Sequence, residues 1–355
     1  MSALARALGK PHQTINYRVN RLEKEELVRF RIIIDEEKLG LECFDVLART
    51  SFGKQDEAEK VLTPIPIWRF LATLDGPGGH TCLVRYTIPK GMRKDLEAYL
   101  EELVKRGFIK SFEVFKTGTA EYPHPNLDFY SEGAKRFIWP DLADEIPDLE
   151  PKKIEGSDSR EIKFDFRDLF LLSQLELNAR EKFIRIAEKM EEIIGVKKKN
   201  LLPWISERYR ELIKEGVIKG YRAVIFPKEV DQYLLLVSDL EFDSKSSMGR
   251  FISSLEEVPH RMRYEIVSGT NRLFFLILLP VYEFGDFRNF LSRLSSLGIL
   301  TDANLYIGSL DRDWDNVQLY KAYKDGKWEF SYELALKALE LLEISSHGDY
   351  KYTFS

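Results

Sequence analysis

The sequence predicts an α+β protein in which one two-part unit is written twice in a single chain. Three recurrences carry that prediction. Arg18 to Leu22 followed by Leu27 and Val28 (RVNRLEKEELV) returns as Arg208 to Leu212 followed by Val217 and Ile218 (RYRELIKEGVI). Gly79, opening the apolar run GHTCLVRY, returns as Gly269 in GTNRLFFL. The run NLDFY at 126–130 returns as NVQLY at 316–320. Each pair is offset by 190 residues (208 from 18, 269 from 79, 316 from 126). A period this long is no solenoid unit. It describes a whole domain set present in two copies, an internal pseudo-dimer.

Residues 2–9 read as a short helix closed by Gly9, with Pro11 suited to the first position of the next helix. Ile15, Val19 and Leu22 then form an i, i+4, i+7 stripe, the mark of an amphipathic helix over 12–22. Short helix, tight turn and second helix make a helix-turn-helix. The alternating run 27–34 (LVRFRIII) reads as a wing strand pair. Strands at 41–51, 66–74, 80–88 and 109–117, with helices at 54–62 and 90–106, give the order β-α-β-β-α-β, a ferredoxin-like signature. Pro123, Pro125, Pro140, Pro147 and Pro151, then GSDS, mark a boundary at 120–160.

The second copy predicts helices at 165–177, 179–194 and 201–215, strands at 232–242, 261–268, 271–280 and 299–308, and helices at 247–257 and 283–297. A helix at 331–344 closes the chain. The expected domains are a winged helix-turn-helix at 1–35, lacking the first helix that the second copy has, and a ferredoxin-like domain at 36–120. A linker at 121–164, a degenerate winged helix-turn-helix at 165–227, a ferredoxin-like domain at 228–312 and a C-terminal extension at 313–355 follow. The apolar face left by the missing helix calls for a cover, such as a partner chain.

With 355 residues and 44% hydrophobic content, the chain can build more than one core. Its longest apolar run, 273–281, is far below the ~20 residues of a membrane helix, and no signal-peptide pattern opens it. The expected location is the cytoplasm. Cys43 and Cys82 sit in strand-like runs and read as buried thiols, since two cysteines make neither a disulfide framework nor a zinc site. High charge (31%) and only 5 methionines point to a thermophile. The net charge is −5, but residues 2–31 carry about +4 and residues 180–222 about +5, which leaves about −14 elsewhere. Basic charge gathered in two matching segments of an acidic body is a nucleic-acid footprint.

The stretch LARALGKPHQTINYRVNRLEKEELV (4–28) resembles the DNA-binding segment of the leucine-responsive regulatory protein / AsnC family of prokaryotic transcription regulators. LATLDGPGGHTCLVRY (71–86) and EIVSGTNRLFFLILL (265–279) are similar to that family's effector domain. The resemblance implies double-stranded DNA as partner, an amino acid-like effector near the α/β domains, and association into homo-oligomers. No cofactor is expected. Two departures stand out. Family chains usually carry one copy, and KKKNLLPWISERYREL places Pro203 and Trp204 where polar base-reading residues belong.

On helix 12–22, His12, Gln13, Thr14, Asn16 and Tyr17 face outward to base edges, while Lys10, Arg18 and Arg21 hold phosphates. A solvated polar face is the plainer alternative. Lys197, Lys198 and Lys199 form either a phosphate clamp or a solvated loop. Asp75, Gly76, Gly79 and His80, and Ser268, Gly269 and Asn271, form glycine loops that offer bare backbone to a ligand, or plain β-turns. The five histidines show no metal spacing, and no Ser-His-Asp or Cys-His set emerges, so the chain reads as a non-enzyme. The competing reading is a siroheme decarboxylase, an enzyme class that resembles the same regulators. It wants a pocket of His and Arg, with His80 and Arg85 or Arg261 and Arg263 as candidates. A third reading is an interaction scaffold with vestigial DNA-binding modules.

Overall fold

The computed structural model describes residues 5–6, 8–124, 126, 130–131, 136–137, 142–154, 160–258 and 260–346. They form two compact units, one of residues 1–34 with 170–230 and one of 35–169 with 231–355. The split follows element type, so each unit draws from both halves of the chain.

The helical unit holds α1 (His12–Lys24), β1 (Val28–Ile34), most of α5 (Phe166–Leu177), α6 (Phe183–Ile194), α7 (Lys198–Lys214) and β6 (Ile218–Ile225). Its second module has a full seam: Ile186, Ala187 and Met190 of α6 and Leu201, Ile205 and Leu212 of α7 are buried. The first module has a smaller one, Ala5, Ile15 and Val19 with Phe30 packed against them. Of the expected helix at 2–9, residues 5 and 6 are helical and 1–4 and 7 lie outside the described residues. Pro11 is the residue before α1 rather than its first helical position.

The expectation of a wing pair within 27–34 needs correction. The run is one strand, β1, and its antiparallel partner is β6, with Arg31 opposite Arg222 and Ile32 opposite Tyr221. Seven residues without a turn-forming pair cannot fold back on themselves, so the second strand comes from the other copy. An ion pair of Arg180 with Glu23, and Arg180 over the Phe30 ring at 5.4 Å, add to this join.

The second unit is built on β2 (Leu41–Arg49), α2 (Gln55–Leu62), β3 (Trp68–Gly76), β4 (Gly79–Pro89), α3 (Arg93–Lys105) and β5 (Ser111–Thr117). The later half repeats the order with β7 (Tyr233–Phe242), α8 (Lys245–Ser254), β8 (Met262–Ile266), β9 (Arg272–Pro280), α9 (Phe284–Ser296) and β10 (Leu300–Asp315). The strands form one eight-stranded antiparallel sheet, β8-β9-β7-β10-β3-β4-β2-β5. Both halves of that sheet therefore run in the same internal order. The outer edges also meet, through bridges Thr117–Val267 and Glu121–Tyr264.

Strand alternation splits the apolar residues between two faces. Val46, Val84 and Tyr86 pack under α2 and α3, and Leu236, Phe275 and Ile277 under α8 and α9. Leu47, Leu83 and Ala72 turn the other way, against Val237, Phe274 and Leu276. The two halves so enclose a shared inner layer. Cys43 and Cys82 are buried, as expected of strand thiols.

Two crossing segments explain the third repeated motif. After β5 the chain crosses to the later half, where Asn126 N–H donates to Val258 O and its Nδ2 to Glu257. After β10 it crosses back, where Asn316 N–H donates to Arg69 O and its Nδ2 to Trp68 O. Residues 127–129 lie outside the described residues. Beyond Asn126, α4 (Leu142–Glu145) and the turn after it place Ala143 and Ile146 in the later half's core. Beyond Asn316, α10 (Tyr332–Ser346) places Ala335 and Leu339 in the first half's core. The segment read as a linker is thus packed structure over 142–154. A Cβ on Gly249 would lie 2.7 Å from Lys152 O. Gly249→Ala is expected to lift this segment, read as faster proteolysis within 142–154; unchanged cleavage would disprove the close fit.

Candidate functional site

On α1, Ile15 and Val19 are buried, Gln13 and Tyr17 lie exposed on the opposite face, and exposed His12 and Arg18 flank the buried seam, each three residues from Ile15; Lys10, just before the helix, is exposed too. Tyr17 is 69% exposed, unusual for a tyrosine without a covering element. Thr14 and Asn16 are half-buried at the margins of this face. Arg21 is exposed but tied to Glu25 at 2.7 Å, which raises its pKa through that hydrogen bond. The predicted residues are thus spread around the exposed surface of α1 and do not share one face, and Arg18 is freer than Arg21.

Lys197 precedes α7, and Lys198 and Lys199 open its first turn. Lys198 Nζ is 2.8 Å from Glu188, whose carboxylate raises the lysine pKa. Leu202 and Trp204 are half-buried and Pro203 is exposed within the helix.

The two glycine loops are β-turns anchored on different elements. In 75–80, Gly76 pairs with Gly79, and Gly78 and Gly79 hold φ of +86° and +99°. Gly76 has a packing reason to be glycine: a Cβ there would lie 2.5 Å from the Tyr306 ring. His80 Nδ1 pairs with Asp75, and its ring lies 5.0 Å from the exposed Phe52. In 268–271, Ser268 N–H donates to Lys116 O, Gly269 turns at φ +81°, and Asn271 exchanges bonds with the Phe242 backbone. Asn271 and Gly76 are committed to structure; Asp75 and His80 remain on the surface.

Sequence reading missed a charged network on the inner face. Arg85 of β4 is 2% exposed, with Nη1 at 3.3 Å from Asp45 of β2 and 3.4 Å from Glu265 of β8. Its Nη2 donates to Gly118 O at 2.7 Å. Arg263 Nε lies 2.6 Å from Glu265 Oε1, and its guanidinium covers the Phe70 ring at 4.1 Å. The Arg263–Glu265 contact lacks hydrogen-bond angles, so both Glu265 oxygens and Asp45 Oδ1 are buried without a hydrogen bond. Burial, aided by Asp45, pushes the Glu265 carboxyl up to about 7 against the pull of Arg263 and Arg85. His80 and Arg85 do not form a pair: five residues apart on one strand, they face opposite sides of the sheet. Of the other candidate pair, Arg263 is in the network.

The raised carboxyl has a testable sign. Between pH 4.5 and about 7 the folded chain holds a proton on Glu265 that the unfolded chain has released. Its contribution to stability is therefore lost as pH rises through that window. Glu265→Gln is expected to flatten the dependence of the melting temperature on pH between 5 and 7; parallel curves for both proteins would refute it.

A helical unit with a two-copy strand ribbon, joined in sequence to an eight-stranded antiparallel sheet with helices, defines a mixed α/β class of protein. No family model matches the chain. The leucine-responsive regulatory protein of Haemophilus influenzae aligns over 172 residues at 26% identity, 47% of this chain and 92% of that protein. Over that stretch the chain is similar to a leucine-responsive regulatory protein. Among solved structures, the siroheme decarboxylase NirDL superposes with a TM-score of 0.52 at 14% identity, covering 98% of this chain and 93% of that one. Its co-complex with an iron-uroporphyrin III analogue gives 0.54 at 12% identity, covering 96% and 93%. At those identities the likeness is one of fold. Among the described residues, no helix is long and apolar enough to cross a membrane.

Proposed function

We propose that the chain is a DNA-binding transcription regulator, a fused pair of regulator halves that reads duplex DNA mainly through α1. The observation that carries this reading is the exposed surface of α1: Gln13 and Tyr17 opposite one buried seam, His12 and Arg18 flanking it, and Lys10 just before the helix. A helix of this kind fits the major groove, with amide and guanidinium groups toward base edges and cations toward phosphates. The likeness to a named regulatory protein supports it. In this reading 1–35 and 165–227 are the two helix-turn-helix modules, and 36–120 and 228–312 are the two ferredoxin-like domains. Asp75 and His80 are the surviving contacts for a small effector, which would act by preferring one of two arrangements of the chain.

The test is binding to the duplex upstream of the chain's own gene at several salt concentrations. Tight binding that weakens steeply with salt is expected. Binding no tighter than to random duplex would overturn the reading.

A siroheme decarboxylase-like enzyme is the second reading, favoured by a superposition that spans nearly the whole chain. Against it, Arg85 and Arg263 are engaged with Asp45 and Glu265, and His80 faces away from them. Titration with an iron tetrapyrrole separates the two readings: saturable change in visible absorbance favours the enzyme, and its absence favours the regulator.

A further inference from the structure

The two helix-turn-helix copies kept a common inside and lost a common outside. Under the 190-residue offset Ile15 corresponds to Ile205, and both are buried. The outward positions differ: His12 and Gln13 correspond to Leu202 and Pro203, Tyr17 to Glu207, and Arg21 to Glu211. Lys24 keeps its type as Lys214 at the far end of the helix, and Arg18 keeps its type as Arg208, but with another role. Arg208 lies 2.8 Å from Glu211 and 3.6 Å from Glu215 on its own helix, 13% exposed, whereas Arg18 is exposed. Leu202 and Pro203 offer no side-chain donor to a base edge. Glu207 and Glu211 carry the charge that phosphates repel. Lys197 and Lys199, at the start of α7, remain suited to the DNA backbone only.

The strand ribbon supplies the second observation. Under the same offset Arg31 corresponds to Tyr221 and Ile32 to Arg222, while the ladder pairs Arg31 with Arg222 and Ile32 with Tyr221. The two pairs exchange with each other, so a local two-fold axis passes between them. A pair of reading helices related by such an axis reads an inverted repeat with half-sites about 10 bp apart. Here one arm of that pair carries Leu202, Pro203 and Glu207 where the other carries His12, Gln13 and Tyr17, and Arg210, exposed on that side, stands next to Glu211.

We infer that the chain reads a single, non-palindromic half-site: α1 makes the base-specific contacts and α7 contributes contacts to the DNA backbone alone. This rests on the DNA-binding reading above and adds to it the class of target, asymmetric duplex DNA with one half-site per chain.

Selection of duplexes from a random pool by the full-length chain tests it, followed by titration of the selected duplex for stoichiometry. One unrepeated motif bound by one chain is expected. Gln13→Ala/Arg18→Ala is expected to lose affinity for that motif by about tenfold or more. Glu207→Ala/Glu211→Ala is expected to bind the same motif at least as tightly, with no second half-site gained. An inverted repeat with half-sites about 10 bp apart, occupied by one chain, would overturn the inference and leave DNA binding intact. A pool with no enriched motif would overturn the DNA-binding reading itself.

Discussion

Arg18→Ala is expected to weaken binding to the chain's DNA target by about tenfold, with no change in folding. The residue is exposed on a helix whose buried contacts come from Ile15 and Val19, so its removal leaves the seam intact. Surface changes of this kind stay within about 0.5 kcal/mol of stability. Salt separates the roles of the cations. If Arg18 holds a phosphate, the slope of log affinity against log salt falls by about 0.9. If it reads a base, the slope persists and discrimination against altered duplexes is lost. Arg21→Ala is expected to cost less, because Glu25 already neutralises that guanidinium at 2.7 Å. The measurements are a salt series of binding isotherms and a melting curve for each variant. Wild-type affinity in the Arg18 variant would remove α1 from the interface.

Arg85→Leu is expected to destabilise the sheet unit by about 3–5 kcal/mol, the usual cost of breaking a buried ion pair by removing one partner. It would strand Asp45, whose Oδ2 accepts from Arg85, and leave Glu265 to Arg263 alone, in an interior where Asp45 Oδ1 and both Glu265 oxygens already lack hydrogen bonds. The later half of the sheet supplies its own control. Counting from the proline that ends each ladder, Asp45 opposite Arg85 corresponds to Val237 opposite Leu276. The same fold therefore fills that place with an apolar pair. Asp45→Val/Arg85→Leu should recover most of the loss, since a buried pair exchanged for well-packed apolar residues is often near neutral. Denaturant midpoints of the two singles and the double give the coupling directly. Equal losses for the Arg85 single and the double would show that packing, not charge, sets the cost.

Period-two and period-3.6 patterns placed nearly every strand and helix of both halves within a few residues. The partner of β1 was hidden because a strand's pattern tells which face is buried, not which strand lies beside it; that partner is 190 residues away. The inner network was hidden for a related reason. Asp45, Arg85 and Glu265 stand in runs that read as apolar strands, and each is a single charge at a position facing the other half. A lone charge in such a run was the available signal. The separation of His80 from Arg85 was readable, because an odd spacing along a strand reverses the face. Gly76 looked like a ligand approach, and only the neighbouring Tyr306 ring shows what its missing Cβ makes room for.

The crossing segments also set an order of events during synthesis. The later half meets a cover already made, since Ala143 and Ile146 leave the ribosome before β7. The first half meets the opposite situation. Ala322, Phe330, Ala335 and Leu339 complete a core whose other members, from Phe44 to Ile109, were translated more than 200 residues earlier. Domains that fold as they emerge normally close from the N-terminus onward. In this chain the earliest-made α/β domain is the last to be sealed, so a nascent chain stalled before residue 330 would still display the apolar surface beneath α10.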